Sequence, residues 1–309
     1  MKQLSYSGMS SYVRIFREAK SENNTFHSAT YLVNGEFRIS DIAATSPVFW
    51  DSIANMSVYY DDIFLITYPR VGTTLTQTII TNLMGRASEV VTKSTSTAFL
   101  EHISPGYKGL QRITELEQPR LIKTHLVKNL IPKDFFTKRP KTIFVIRNHF
   151  DTLVSNYHLY KSSPILRVLY PDITFDTFFE MFVTKGEQIN GSWFRWHKLW
   201  LDYATFQGKS HCLILNYEDI VLDKKTAIDK ITKFLDITTS EDTVNAAIVA
   251  SDFDHMKKLY TNVFPPNFVR KGEIGTGKSF FNQMQRKLFT KKVNDELEKH
   301  LDILRCGQF

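Results

Sequence analysis

Apolar positions along this chain follow two rhythms. Four short runs rich in branched residues, 62–68 (DIFLITY), 120–125 (RLIKTH), 141–147 (KTIFVIR) and 211–217 (HCLILNY), are continuous enough to be strands buried on both faces. Elsewhere the spacing is helical. Leu75, Ile79 and Leu83 share a face before Gly85; Phe175, Phe178, Phe179 and Phe182 recur before Gly186; Ile228, Ile231 and Leu235 mark a third helix. Ser192 is placed to cap a helix carrying Trp193, Trp196, Trp200 and Tyr203, an aromatic stripe read as core packing. Strands alternating with helices predict an α/β fold, a single domain over 1–309 with a central, mainly parallel sheet flanked by helices. The stretches 86–119, 161–172 and 258–281 break the pattern and hold Gly or Pro, so they read as long loops walling a pocket at the carboxyl ends of the strands.

Composition supports a globular chain and narrows its partners. Of 309 residues 42% are hydrophobic and 23% charged, which excludes a disordered or fibrous protein. The formal charge is +7, but the basic residues are scattered and interleaved with acids, so no nucleic-acid partner is expected. Cys212 and Cys306 are the only cysteines, too few for a disulfide framework or a cysteine metal site, and they fit a reducing compartment. No signal-peptide core and no apolar span of membrane length stands out, so a cytoplasmic protein is expected, with the sequons at Asn23, Asn55 and Asn190 unused.

The most informative segment is DDIFLITYPRVGTTLTQTII. It joins a buried strand, a tight turn from Pro69 to Gly72 and a helix opening at Thr73 and Thr74. Glycine lets the backbone wrap an anion, helix N-terminal N–H groups point at it, two hydroxyls add donors and Arg70 adds charge. In physical terms this is a phosphate-binding loop, although an ordinary strand-to-helix turn has the same outline. A literal Walker A spacing also occurs in GEIGTGKS, with Gly272, Gly277, Lys278 and Ser279. The segment before it, YTNVFPPNFVRK, contains two prolines and is no buried strand, so the match reads as accidental. Lys123 and His125 lie two apart at the end of a strand and point the same way, a cation beside a general base. Arg147 ends another strand, and Ser155 lies two turns into a helix that Asp151 is placed to cap, a second phosphate cradle.

Taken in order from about residue 60 to 281, these segments resemble the cytosolic sulfotransferases. The family's Y-P-K-S-G-T-T-W reads YPRVGTTL here, K-T-H-L-P reads KTHLV, R-N-P-K-D-x-x-x-S reads RNHFDTLVS, and VRKGEIG from 269 stands in place of an R-K-G-x-x-G-D-W-K stretch. GSWF, YEDI and KITKFL are further matches. The resemblance implies a P-loop-like phosphosulfate loop, the donor 3'-phosphoadenosine 5'-phosphosulfate (PAPS) and no metal. Carried over, Arg70, Val71, Gly72, Thr73, Thr74 and Leu75 would hold the 5'-phosphosulfate, and Arg147 and Ser155 the 3'-phosphate. Tyr217, the segment Ser251, Asp252, Phe253, Asp254, His255 and Met256, and the segment Phe268, Val269, Arg270, Lys271 and Gly272 would complete the nucleotide site, with Phe253 on adenine.

His125 would be the general base, with Lys123 and Arg70 the cations opposite the charge that accumulates during sulfuryl transfer. The 24 Phe and 13 Tyr allow an apolar pocket for a small hydroxylated or aminated acceptor. Departures from the pattern are equally definite. Arg70 replaces a lysine and cannot donate a proton at neutral pH; Val71 removes a hydroxyl; Leu75 replaces a stacking aromatic; Thr276 and Gly277 replace D-W. The family's C-terminal dimer motif falls on Lys278–Lys287 and is not matched, so a homodimer by that route is not expected. Two other readings stay open: a nucleotide-binding relative with weak or lost turnover, and a P-loop kinase using GEIGTGKS with Mg²⁺.

Overall fold

Before reaching the expected apolar runs the chain forms a sheet of its own. In the computed structural model, which describes residues 2–4, 12–21, 24–33, 37–40, 47–86, 97–104, 107–261 and 272–304, strands β1 (Lys2–Leu4), β2 (Tyr12–Ser21), β3 (Asn24–Val33) and β4 (Phe37–Ser40) pair antiparallel in that order. Continuous apolar runs do not predict these strands, because an antiparallel sheet needs only alternate residues to be apolar.

The four predicted strands do form, each within a residue or two of its expected ends. They are β5 (Ile63–Thr67), β9 (Leu121–Thr124), β10 (Lys141–Ile146) and β11 (Cys212–Asn216). Every residue of β5 is buried, as expected of a central strand covered on both faces. A fifth strand, β6 (Thr97–Phe99), completes a fully parallel sheet in the order β11-β10-β5-β9-β6. The long loops are corrected accordingly. Region 86–119 contains β6, a short antiparallel pair β7 (Ile103–Ser104) and β8 (Tyr107–Lys108), and the helix Gly109–Glu115. Region 161–172 contains the helix Pro164–Leu169, with Pro in its first turn and Ser163 as its cap, both helix-starting signals rather than loop signals. Region 258–281 begins inside the helix Phe253–Tyr260 and ends in a 3₁₀ turn, Gly277–Phe280.

Helices form where the spacing predicts them. Thr73–Leu83 follows β5, and Lys224–Leu235 buries Ile228, Ile231 and Leu235. Phe175–Phe179 continues as a wider π turn, Glu180–Lys185, and ends at Gly186 with φ 63°. Ser192 Oγ accepts from the N–H of Arg195 and opens Trp193–Gln207, whose three tryptophans are buried. No described helix is long and apolar enough to cross a membrane.

At the amino edge of the sheet Asp62 and Arg120 stand just before β5 and β9. Arg120 donates Nε to Asp62 Oδ1 at 2.7 Å and a terminal nitrogen to Oδ2 at 2.6 Å, with both side chains buried. A further bond from Arg120 reaches the carbonyl of Ser57. Removing one member leaves a buried, unpaired charge, at a cost of about 3–5 kcal/mol. Arg120→Met is therefore expected to lower the unfolding free energy by roughly that amount in urea titrations, with most of it regained in the double variant Asp62→Leu/Arg120→Met.

Candidate active site

Because all five strands of the main sheet are parallel, their carboxyl ends open onto one edge. β5 ends in the turn Tyr68–Gly72, β9 in His125, β10 in Arg147, β11 in Tyr217, and β6 in the segment Leu100–His102. The chain passes from β5 to one side of it, then returns to add β10 on the other. A crevice at such a switch point is where open α/β sheets hold ligands.

The β5 turn has the shape of an anion cradle. Arg70 and Gly72 both have positive φ, 74° and 107°. A Cβ at Gly72 would meet Tyr217 Cδ2 at 2.6 Å, so both the conformation and the close packing require glycine there. Gly72 is also the N-cap of Thr73–Leu83 and offers no side chain to its first N–H groups. An anion suits those donors and the positive end of the helix dipole. Val71 is fully buried, and Leu75 is half-buried against the core. Thr73 Oγ lies 2.7 Å from Thr67 Oγ, and Asn156 Nδ2 donates to the Pro69 carbonyl at 3.1 Å, fixing the turn.

His125 is held on all sides. Its Nδ1 lies 2.7 Å from the Thr67 carbonyl, which can only accept, so Nδ1 carries the proton and Nε2 of the neutral ring keeps its lone pair. Its backbone carbonyl accepts from Trp196 Nε1 at 3.0 Å, and the next carbonyl, of Leu126, accepts from Trp200 Nε1 at 2.9 Å. The tryptophan stripe thus packs the core and also tethers this segment. Burial pushes the His125 imidazole down to about 4 and the neighbouring Lys123 amine down to about 8. Lys123 and His125 flank the Phe99 ring, at 5.3 Å for the ammonium and 4.9 Å between ring centroids, and Lys123 donates to Gln77 Oε1 at 2.6 Å.

Arg147 and Ser155 are linked through Arg70. Arg70 Nε donates to Ser155 Oγ at 3.2 Å, and an Arg147 terminal nitrogen donates to the Arg70 carbonyl at 3.2 Å. The Arg147 guanidinium stacks 4.2 Å from the Tyr217 ring centroid, while its Nε is buried with no hydrogen-bond partner among the described residues. Asp151 is not the helix cap. Asn148 fills that place, accepting from the N–H groups of Phe150 and Asp151. The Asp151 carboxylate instead accepts from the N–H groups of Gly275 and Gly277, both at 2.7 Å.

The remaining predicted nucleotide contacts divide. Gly272 lies against Phe253, where a Cβ would meet Cδ2 at 2.7 Å, and Tyr217 Oη reaches the Gly272 carbonyl at 3.5 Å. Ser251 is buried and donates back to the Ala247 carbonyl; Asp252 caps Phe253–Tyr260; Met256 is buried, and Asp254 and His255 are exposed. Phe268, Val269, Arg270 and Lys271 lie outside the described residues.

A family model described as "Sulfotransferase domain" matches residues 60–301. The chain belongs to the sulfotransferase family. Sulfotransferase 1A1 of Bos taurus is 32% identical over 255 residues, covering 77% of this chain and 83% of that one. Sulfotransferase 1C2 of Rattus norvegicus is 30% identical over 262 residues, covering 78% and 84%. Among solved structures, mouse sulfotransferase SULT7A1 complexed with PAP matches with a TM-score of 0.72 at 24% identity over 87% of this chain and 94% of that one. Retinol dehydratase in a complex with retinol and PAP matches at 0.70 and 20% identity, over 92% and 96%. The sulfotransferase fold predicted from the ordered segments is thus the fold observed.

Sequence reasoning did not single out Thr67, Gln77 or Glu101 in this sulfotransferase. Gln77 sits one helical turn beyond Thr73, a spacing that pointed to it; Glu101 gave no signal, being a lone acid in a stretch read as loop. Because burial lowers the His125 pKa from 6.5 to about 4, its ring is expected to stay neutral from pH 8 to about 5 in the free protein. Nitrogen-15 NMR should show an unchanging Nδ1–H tautomer over that range, and a titration near 6.5 would contradict the buried geometry.

Proposed function

We propose that this sulfotransferase takes its sulfuryl group from PAPS and passes it to the hydroxyl or amine of a small, apolar or aromatic acceptor, with His125 as the general base. The observation that carries this reading is the convergence of an uncapped helix N-terminus, two arginines and a neutral histidine at one sheet edge. The neighbour crystallised with PAP adds support. When bound, PAPS supplies an activated sulfuryl group and leaves as PAP.

The residues present fit a nucleotide with an anionic group at each end. The N–H groups of Thr73, Thr74 and Leu75 with Arg70 suit the 5'-phosphosulfate; the buried Nε of Arg147, unpartnered among the described residues, with Ser155 Oγ suits the 3'-phosphate. Tyr217 and Phe253 offer ring faces nearby, and Phe268, Val269, Arg270 and Lys271 join them on the sequence resemblance alone.

His125 would take the acceptor proton on Nε2 as the acceptor oxygen or nitrogen bonds to sulfur and the bond from sulfur to the phosphate oxygen of the departing PAP breaks, while the Thr67 carbonyl keeps Nδ1 aimed away. A value near 4 is low for a base, but negative charge placed beside the ring stabilises the imidazolium and raises it. Lys123, still largely protonated at pH 7, and Arg70 stabilise charge on the sulfuryl and leaving oxygens. Arg70 does so without giving up a proton.

The kinase reading loses its main support in the clamp on the GEIGTGKS segment. The N–H groups of Gly275 and Gly277, which a Walker loop would present to phosphate, are already held by Asp151.

Steady-state assays with PAPS and a panel of phenols, alcohols and amines test the proposal. Transfer to at least one acceptor is expected, and His125→Ala should lower kcat about 100-fold to 10,000-fold with little change in KM for PAPS. Wild-type turnover in His125→Ala would remove the assigned base.

A further inference from the structure

Glu101 is a buried acid, only 3% exposed, at the end of the edge strand β6. Its two oxygens have separate tasks. Oε1 accepts from the backbone N–H of His125 at 2.7 Å, and Oε2 accepts from Thr124 Oγ at 2.8 Å. Thr124 Oγ in turn accepts from the N–H of Leu126 at 3.0 Å. One carboxylate therefore braces three consecutive residues of the segment that carries the base, in addition to the tryptophan tethers.

Burying a carboxylate is costly unless its oxygens are hydrogen-bonded, and these bonds go to the main chain and hydroxyl next to the imidazole. We infer that Glu101 is a positioning residue for His125, fixing the β9 terminus so that the ring stays on the Thr67 carbonyl with Nε2 toward the acceptor. This rests on the assignment of His125 as base.

The ionised form is the one that accepts both bonds. Among the described residues, the titratable side chain that acts on Glu101 is Lys123, from the β9 end; His125 meets it through the backbone N–H, and His102 is next along its own segment. Burial raises the Glu101 carboxyl to about 7, against the hydrogen bonds and Lys123, which lower it. As pH falls through that value the carboxyl takes up a proton, and one of its oxygens turns from acceptor to donor. The brace then loosens well above the pH at which His125 itself protonates, about 4 in the free protein.

A double-mutant cycle separates positioning from general structural support. Glu101→Gln is expected to lower kcat about 10-fold to 100-fold, the range for groups that orient a functional side chain from behind. KM for PAPS should change less than about twofold, since the nucleotide cradle is built elsewhere. In the His125→Ala background the same substitution should change the residual rate less than about twofold. The acid limb near pH 7 of the wild-type kcat/KM profile for PAPS, which reports groups of the free protein, should also disappear in Glu101→Gln.

Equal losses from Glu101→Gln in both backgrounds, or an unchanged acid limb, would overturn the inference. Full activity in His125→Ala would instead overturn the base assignment beneath it. If Glu101→Gln fails to fold, Thr124→Val removes one braced group at nearly constant volume. It should show the same dependence on His125, and an equal loss in both backgrounds would again refute the role.

Discussion

The chemistry available at this site depends on one hydrogen bond, 2.7 Å from His125 Nδ1 to the carbonyl of Thr67. It selects the tautomer whose free lone pair faces outward, and it can form only where the ends of β5 and β9 are neighbours. Ile66 is level with Thr124 in that ladder, which brings His125 beside Thr67. The other end of the same strand pair begins with Ile63 level with Leu121, next to the buried Asp62–Arg120 pair. A slip of one residue would turn every side chain of β9 to the other face and carry His125 out of reach. The ion pair at one edge and the imidazole bond at the other thus bracket one register.

Around that register the protein handles charge by enclosing it. Arg147 is sandwiched between Tyr217 and the Arg70 carbonyl, and Arg70 reaches Ser155, so the cations are ordered by the chain itself. Preorganised donors of this kind favour charge that develops in a transition state, because little reorganisation is left to be done. Asp151 places a carboxylate oxygen 3.8 Å from an Arg147 nitrogen, while its shorter bonds go to the N–H groups of Gly275 and Gly277. The segment that imitates a nucleotide-binding loop in the sequence is therefore docked through Gly275 and Gly277 onto the helix His149–Ser162. The same residue types at the same spacing serve a different bond once their partner lies within the chain.

Much of this was legible in the sequence because burial leaves a periodic mark. Strands covered on both faces read as unbroken apolar runs, and the order of YPRVGTTL, KTHLV and RNHFDTLVS carried the site with them. The antiparallel sheet of residues 2–40 escaped because half of its positions are free to be polar. β6 escaped because three residues are too few to show a rhythm, and Glu101 went unseen with it. Asp151 was legible as an acid near a helix start, but its partners lie more than a hundred residues away, and side-chain-to-backbone bonds over such distances have no sequence spacing.

Thermal unfolding with 3'-phosphoadenosine 5'-phosphate, compared with ATP and Mg²⁺, tests the nucleotide cradle most directly. A ligand that binds only the folded state adds about 2.7 kcal/mol of stability at a hundred times its Kd. The site described here predicts a clear rise in Tm with the bisphosphate, much reduced in Arg147→Ala, and little change with ATP and Mg²⁺. No rise with the bisphosphate, or a rise with ATP and Mg²⁺ alone, would contradict it.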